Sequence, residues 1–250
     1  MARKARKNTP LLEGAYYHVY SRFSSRRFRL AESAAKEKFL ILMRYFCNRY
    51  GVVIHGYCLM SNHFHMLCSI QQGGDISRAF AKIKEMFSKW HHEQTHEKIE
   101  DDTSDGGLWK DRFSISLVEN DRYALTLLRY IDNNPVRAGM VSAPWDYEYS
   151  SCVYYALGTR RQGVVPLPSW MALAQTPQNR IRIYHDSLLS NISKFESSPS
   201  NRPWFSSSVI GSENFIEDCL RCERENRLKR MRLKKQLLDQ SGGLFFSGGG

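Results

Sequence analysis

Apolar positions in the first part of this chain switch repeatedly between a period of two and a period near 3.6. In "AYYHVYSRF", residues 15–23, aromatic and β-branched side chains predict a strand. Across 31–50, Phe39, Leu42, Met43 and Phe46 recur at helical spacing, and Gly51 would stop that helix. "VVIHGYCLM" (52–60) and "HFHMLCSI" (63–70) read as two strands joined tightly through Ser61 and Asn62, a hairpin. Ile76, Phe80, Ile83 and Phe87 carry a second helix over 76–98. After an acidic, Gly-containing loop at 100–107, "FSISLVE" (113–119) alternates as a fourth strand. Asn120 and Asp121 are N-cap candidates for a helix running to about 133, where Pro135 ends the regular pattern. The order strand, helix, strand, strand, helix, strand, helix predicts an α+β fold. It is a ferredoxin-like antiparallel sheet with helices on one face.

The remaining segments differ in character. Residues 1–10 form a basic arm and 11–157 the patterned domain. Residues 158–212 read as a wrap around that domain followed by a Ser-, Asn- and Pro-rich linker. Residues 213–240 are a basic helical tail in which Phe215, Ile216, Cys219 and Leu220 share a face, and 241–250 read as a disordered end.

Composition narrows the partners. A chain of 250 residues with 42% hydrophobic content supports one sizeable domain and an appendage. The formal charge of +11 and the pI near 9.4 favour polyanions, with nucleic acid ahead of an anionic membrane surface. No apolar run reaches the roughly 20 residues of a spanning helix. No apolar segment follows the basic N-terminus as a signal peptide would require. A cytoplasmic, nucleoid-associated location is therefore expected. Cys47, Cys58 and Cys68 lie in apolar stretches and read as small core residues. Cys219 and Cys222 form a C-x-x-C without a second pair near it, a weak zinc or redox signal.

"SNHFHML" holds the first candidate chemistry. On a strand His63 and His65 point to one face and Phe64 to the other. Such a pair is either a polar outer face or two of the ligands of a cation. The best third partner lies in "LLRYIDNNPVRAG", where Tyr130 and Asn134 are one helical turn apart. Ala124, Leu128 and Ile131 make the core stripe there, and Tyr123, Tyr130, Asn134 and Arg137 lie beside it rather than in it.

"HGYCLMSNHFHMLCS", "LWKDRFSISLVENDRYALTLLRYIDNNPVRAGMV" and "YEYSSCVYY" together resemble the IS200-type single-tyrosine transposases, closest to their REP-associated branch. The resemblance covers roughly residues 10–157. It implies that His63 and His65 are the HUH metal ligands, that Asn134 is the third ligand and that Tyr130 is the nucleophile. It implies a divalent ion, Mg²⁺ or Mn²⁺, with no small-molecule cofactor. The substrate implied is single-stranded or hairpin DNA, cut and rejoined through a 5′-phosphotyrosine. The branch points to a monomer ahead of a dimer. Two positions depart: Ser61 stands where Pro is usual, and Asp132 where His is usual. Neither departure removes a catalytic group. Trp109, Phe113, Tyr16, Tyr17 and Tyr20 are candidate stacking surfaces, and Arg22, Lys110, Arg112 and Arg137 candidate DNA contacts. The rival expectation is a DNA- or RNA-binding protein of the same fold that does not cut.

Overall fold

The computed structural model describes residues 12–24, 30–95, 108–110, 112–195 and 209–242. The basic arm, the acidic loop at 100–107 and the end of the chain from 243 lie outside them. The chain divides after Ile210: residues 9–210 form one unit, and the chain from Gly211 onward belongs to a second.

The period-two stretches are strands β1 (Tyr16–Arg22), β2 (Val52–Leu59), β3 (His63–Ile70) and β4 (Ser114–Val118). The 3.6-period stretches are helices α1 (Ser33–Arg49), α2 (Ile76–Thr95) and α3 (Asp121–Asp132). Their order in the sheet is β2-β3-β1-β4, with every pairing antiparallel. Gly51, at φ +61°, ends the α1 segment in a backbone conformation that glycine adopts without strain. Asn120 caps α3 by accepting from Tyr123 N, and Asp75 caps α2 by accepting from Arg78 N.

One face of the sheet meets α1 and α2, as expected. Phe64 packs between Phe39 and Phe80, and Ile76, Phe80, Ile83 and Phe87 are fully buried. The expectation that helices cover a single face needs correction. The other face is covered too, by α3 with α5 (Cys152–Leu157), α6 (Pro168–Met171) and α7 (Pro177–Phe195). Between α3 and these lies the short helix α4 (Asn134–Arg137). Leu67 on β3 joins Ala124, Leu128 and Ile131 of α3 in that second core. β2 is apolar on both faces, so neither can be left to water.

Two further differences fall in the segment read as wrap and linker. α7 continues through the Ser- and Asn-containing stretch to Phe195, because Tyr184 and Leu188 recur at helical spacing and are fully buried. A short strand β5 (Val209–Ile210) adds to β4 in parallel, beyond the four antiparallel strands. The outer edge of β2 is also covered: Leu59 N donates to Tyr149 O, Ser151 N to Tyr57 O and Val165 N to Ile54 O, each at 2.9 Å. An edge satisfied in this way cannot template pairing with another chain. The second unit contains one long helix, α8 (Glu213–Gly242).

Candidate active site

β3 brings His63 and His65 to the face that α3 covers. Their rings lie 5.1 Å apart, nearly perpendicular. In register they face Arg22 and Tyr20 of β1, and the Tyr20 ring lies 5.7 Å from His63 and 5.0 Å from His65. α3 delivers Tyr130, whose ring stands edge-on to His65 at 5.9 Å and 88°. The structure thus brings together the histidine pair and the tyrosine that sequence spacing singled out.

The end of α3 explains where Asn134 sits. Pro135 has no N–H to return to Ile131 O, and its ring crowds the preceding turn. The helix breaks, and α4 begins anew at Asn134. Asn134 Nδ2 takes over the missing donation, reaching Tyr130 O at 2.9 Å and Ile131 O at 3.3 Å. With the amide nitrogen held by the helix, Oδ1 is the end left to serve as a ligand.

Tyr130 departs from its expected place beside the core: it is 2% exposed and belongs to the core of the α3 face. The core stripe is wider than expected because this face is covered by several helices. Burial pushes the phenol up to about 12, opposed by the charge and hydrogen bond of Arg137. The Arg137 guanidinium lies over the Tyr130 ring, 5.1 Å from its centroid. Burial first, then Arg22, pushes His63 down to about 4. Burial, with His18, His63 and Arg137, carries His65 well below the usual imidazole range. Both rings are therefore neutral near pH 7, the form that binds metal.

The donor chemistry fits a divalent cation. His63 Nδ1 is 2.6 Å from Asn62 Oδ1, and His65 Nδ1 is 2.9 Å from His18 Nε2. Each Nδ1 thus has a hydrogen-bonding neighbour, which leaves Nε2 as the nitrogen that could face a cation, the arrangement ligating histidines usually have. Two imidazoles and an amide oxygen leave positions for water and phosphate. Among the described residues no three His, Cys, Asp or Glu side chains gather as a metal site. An amide donor such as Asn134, carried one helical turn beyond Tyr130, lies outside that set of residue types.

The DNA-contact candidates separate into two groups. Arg22, Lys110 and Arg112 line one cleft of about 150 Å³ with Tyr20, Ser21 and Ser114. Tyr20 links it to the histidine pair. Trp109 and Phe113 do not face it. Trp109 stacks on Phe23 at 4.1 Å, lies near Phe39 and Phe87, and donates Nε1 to Ser88 Oγ. Phe113 is 7% exposed against Phe80. Phe113 is part of the α1–α2 core, and Trp109, half-buried, packs against its aromatic rings. Tyr17 is likewise buried there. His18 and Asn62 were not singled out from sequence. The period-two reading of β1 puts His18 on one face with Tyr20 and Arg22, a signal that becomes useful only once β1 is known to pair with β3.

The family described as "Transposase IS200 like" matches residues 12–134, which include both histidines, Tyr130 and Asn134. A Haemophilus influenzae protein assigned as a REP-associated tyrosine transposase is 27% identical over 108 residues, or 42% of this chain. The match spans 61% of that relative's length. The solved structure of a REP-associated tyrosine transposase bound to a REP hairpin matches 66% of this chain and 89% of its own, at 18% identity and a TM-score of 0.50. A Deinococcus radiodurans crystal structure named as a transposase matches 53% of this chain and 97% of its own, at 18% identity. Its TM-score of 0.35 is too low to bear on the fold.

Proposed function

On the match of residues 12–134 to the IS200-like transposases, we propose that this chain is a single-tyrosine DNA strand transferase. Its substrate is single-stranded DNA flanked by a hairpin. The observation that carries this reading is the Tyr130 ring set 5.9 Å from His65, beside the paired imidazoles. The hairpin is suggested by the relative solved with a REP hairpin.

His63 Nε2, His65 Nε2 and Asn134 Oδ1 would hold Mg²⁺ or Mn²⁺. When bound, that ion supplies Lewis-acid polarisation of the phosphoryl oxygens and orients the scissile bond. Tyr130 Oη attacks the phosphorus. The Oη–P bond forms, the P–O3′ bond breaks, and the products are a 5′-phosphotyrosine and a 3′-OH. The phenolic proton passes to water, the departing O3′ takes one up from water to become the 3′-OH, and Arg137 beside the ring stabilises the phenolate charge in between. The ester keeps the energy of the broken bond, so a second 3′-OH can displace Tyr130 and rejoin strands without ATP.

The cleft lined by Arg22, Lys110 and Arg112 binds the backbone leading to the scissile phosphate. Its three cationic side chains suit the phosphates of a single strand. The covered β2 edge agrees with a monomer. Among the described residues no helix is long and apolar enough to cross a membrane; a DNA substrate would place the protein at the nucleoid.

The test is incubation with hairpin-bearing single-stranded DNA and Mn²⁺, followed by a denaturing gel. A protein band linked to DNA, lost on chelation, is expected. Binding without such a band would replace this reading with a DNA-binding protein of the same fold that does not cut.

A further inference from the structure

His18 and His65 form a buried pair, of which the reaction above uses only His65. They are 1% and 0% exposed. His18 pairs in register with Leu67, one step diagonal from His65 on the same face of the β1–β3 ladder. Their facing nitrogens, His18 Nε2 and His65 Nδ1, are 2.9 Å apart. The ring planes differ by 6° and the centroids are 5.2 Å apart. Two imidazoles with nitrogens that close reach this centroid separation only when centroids and nitrogens fall on one line. The rings therefore lie edge to edge in one plane, the geometry of an in-plane N–H···N bond and not of a face-to-face stack.

One proton occupies that bond, which leaves two arrangements. If His18 Nε2–H donates, neutral His65 carries its proton on Nε2 and has no lone pair to offer there. If His65 Nδ1–H donates, Nε2 carries the lone pair. We infer that His18 is a positioning residue: it accepts from His65 Nδ1 and so holds His65 in the tautomer whose Nε2 can bind a metal. Asn62 Oδ1 does the same for His63 at 2.6 Å. The two ligands thus have different supports, an exposed-side amide for one and a buried imidazole for the other. A metal-bound imidazole becomes a stronger N–H donor, which strengthens the bond that His18 accepts.

The inference rests on the metal role proposed for His65, and two readouts separate them. Nitrogen-15 spectra of the imidazoles in metal-free protein at pH 8 report the tautomer alone. Wild-type His65 is expected with Nδ1 protonated and Nε2 bare. A wild-type His65 protonated on Nε2 would overturn the inference whatever any variant does. His18→Phe keeps a ring but offers no acceptor. It is expected to shift His65 toward the Nε2–H form and to weaken Mn²⁺ binding by about 10–100-fold in calorimetry. His18→Gln returns an acceptor oxygen and is expected to recover most of both. Equal tautomers and equal Mn²⁺ affinity in wild type and His18→Phe would also overturn it. A wild type that binds no Mn²⁺ yet shows the expected tautomer would fail the metal reading and leave the role of His18 standing.

Discussion

Tyr130→Phe removes one oxygen from a buried side chain whose ring packing stays intact. Fold and DNA binding should persist, with at most about 1 kcal/mol lost with the bond to Arg137. The covalent band should fall to background on the denaturing gel. His63→Ala and His65→Ala should lower Mn²⁺ affinity and cleavage together. Asn134→Ala should do so less, because water can replace an amide oxygen as ligand, and calorimetry checks the order. Asn134→Ala should in addition cost about 1 kcal/mol of stability, since Nδ2 closes the carbonyls of α3. Asp132, the departure from the family pattern, faces away from DNA chemistry. It is fully buried and accepts from Tyr184 Oη at 2.8 Å. Burial raises its carboxyl from 3.8 to about 8 against the hydrogen bonds of Tyr184 and Cys152. The folded protein therefore keeps a proton that the unfolded chain releases. That contribution is full below pH 3.8 and is lost as pH rises to about 8. Wild-type melting temperature should fall between about pH 4 and 8, and Asp132→Asn, which keeps an acceptor for Tyr184, should flatten that fall. Parallel profiles would show that Asp132 does not hold its proton.

At the scale of elements, the site depends on α3 lying close to the β2–β3 hairpin. Gly56 makes that approach possible: a Cβ there would meet Leu128 Cδ1 at 2.3 Å and Ser151 Oγ at 3.2 Å. It sits at an irregularity in the β2–β3 register, between Ile54 and Gly56. Leu128 is fully buried, so its side chain has little room to turn aside. Gly56→Ala should cost about 1–3 kcal/mol and lift α3, carrying Tyr130 away from His65. Denaturant unfolding measures the first effect. The second predicts adduct formation reduced more than DNA binding, and an unchanged adduct rate would separate α3 packing from catalysis.

At the scale of the whole molecule, the second unit carries the densest charge. From Arg221 to Lys235 there are eight Lys or Arg against Glu223 and Glu225. α8 begins at Glu213, after β5 has joined the sheet, so a chain ending at residue 212 retains all five strands. Deletion from 213 should leave the catalytic unit folded and weaken DNA binding. Each phosphate neutralised on a single strand contributes about −0.7 to the slope of log K against log salt. Engagement of roughly three to five side chains would therefore flatten that slope by about two to three units. Titrations at several salt concentrations measure it, and an unchanged slope would remove the tail from DNA binding.

Sequence by itself determined what depends on local backbone geometry. The two periods of apolar residues located β1 to β4 and α1 to α3. Strand alternation put His63 and His65 on one face, and helical spacing set Tyr130 one turn from Asn134. The amide's other task, closing α3 in place of the Pro135 N–H, is local too, yet it emerges only when the helix end is seen. Tertiary structure decided which surfaces meet. β2 is apolar on both faces, which says that a second layer is needed and not that α3 forms it. His18 reaches His65 because β1 and β3 pair in one register, and a shift of one residue would send it to the opposite face. Trp109 and Phe113 have the composition of stacking platforms, but Phe80 buries Phe113, and Phe23, Phe39 and Phe87 converge from distant segments on Trp109, which stays half-buried. Period and spacing are properties of neighbours along the chain. Registry, burial and the choice of face come from competition among segments far apart in sequence, which only the folded chain resolves.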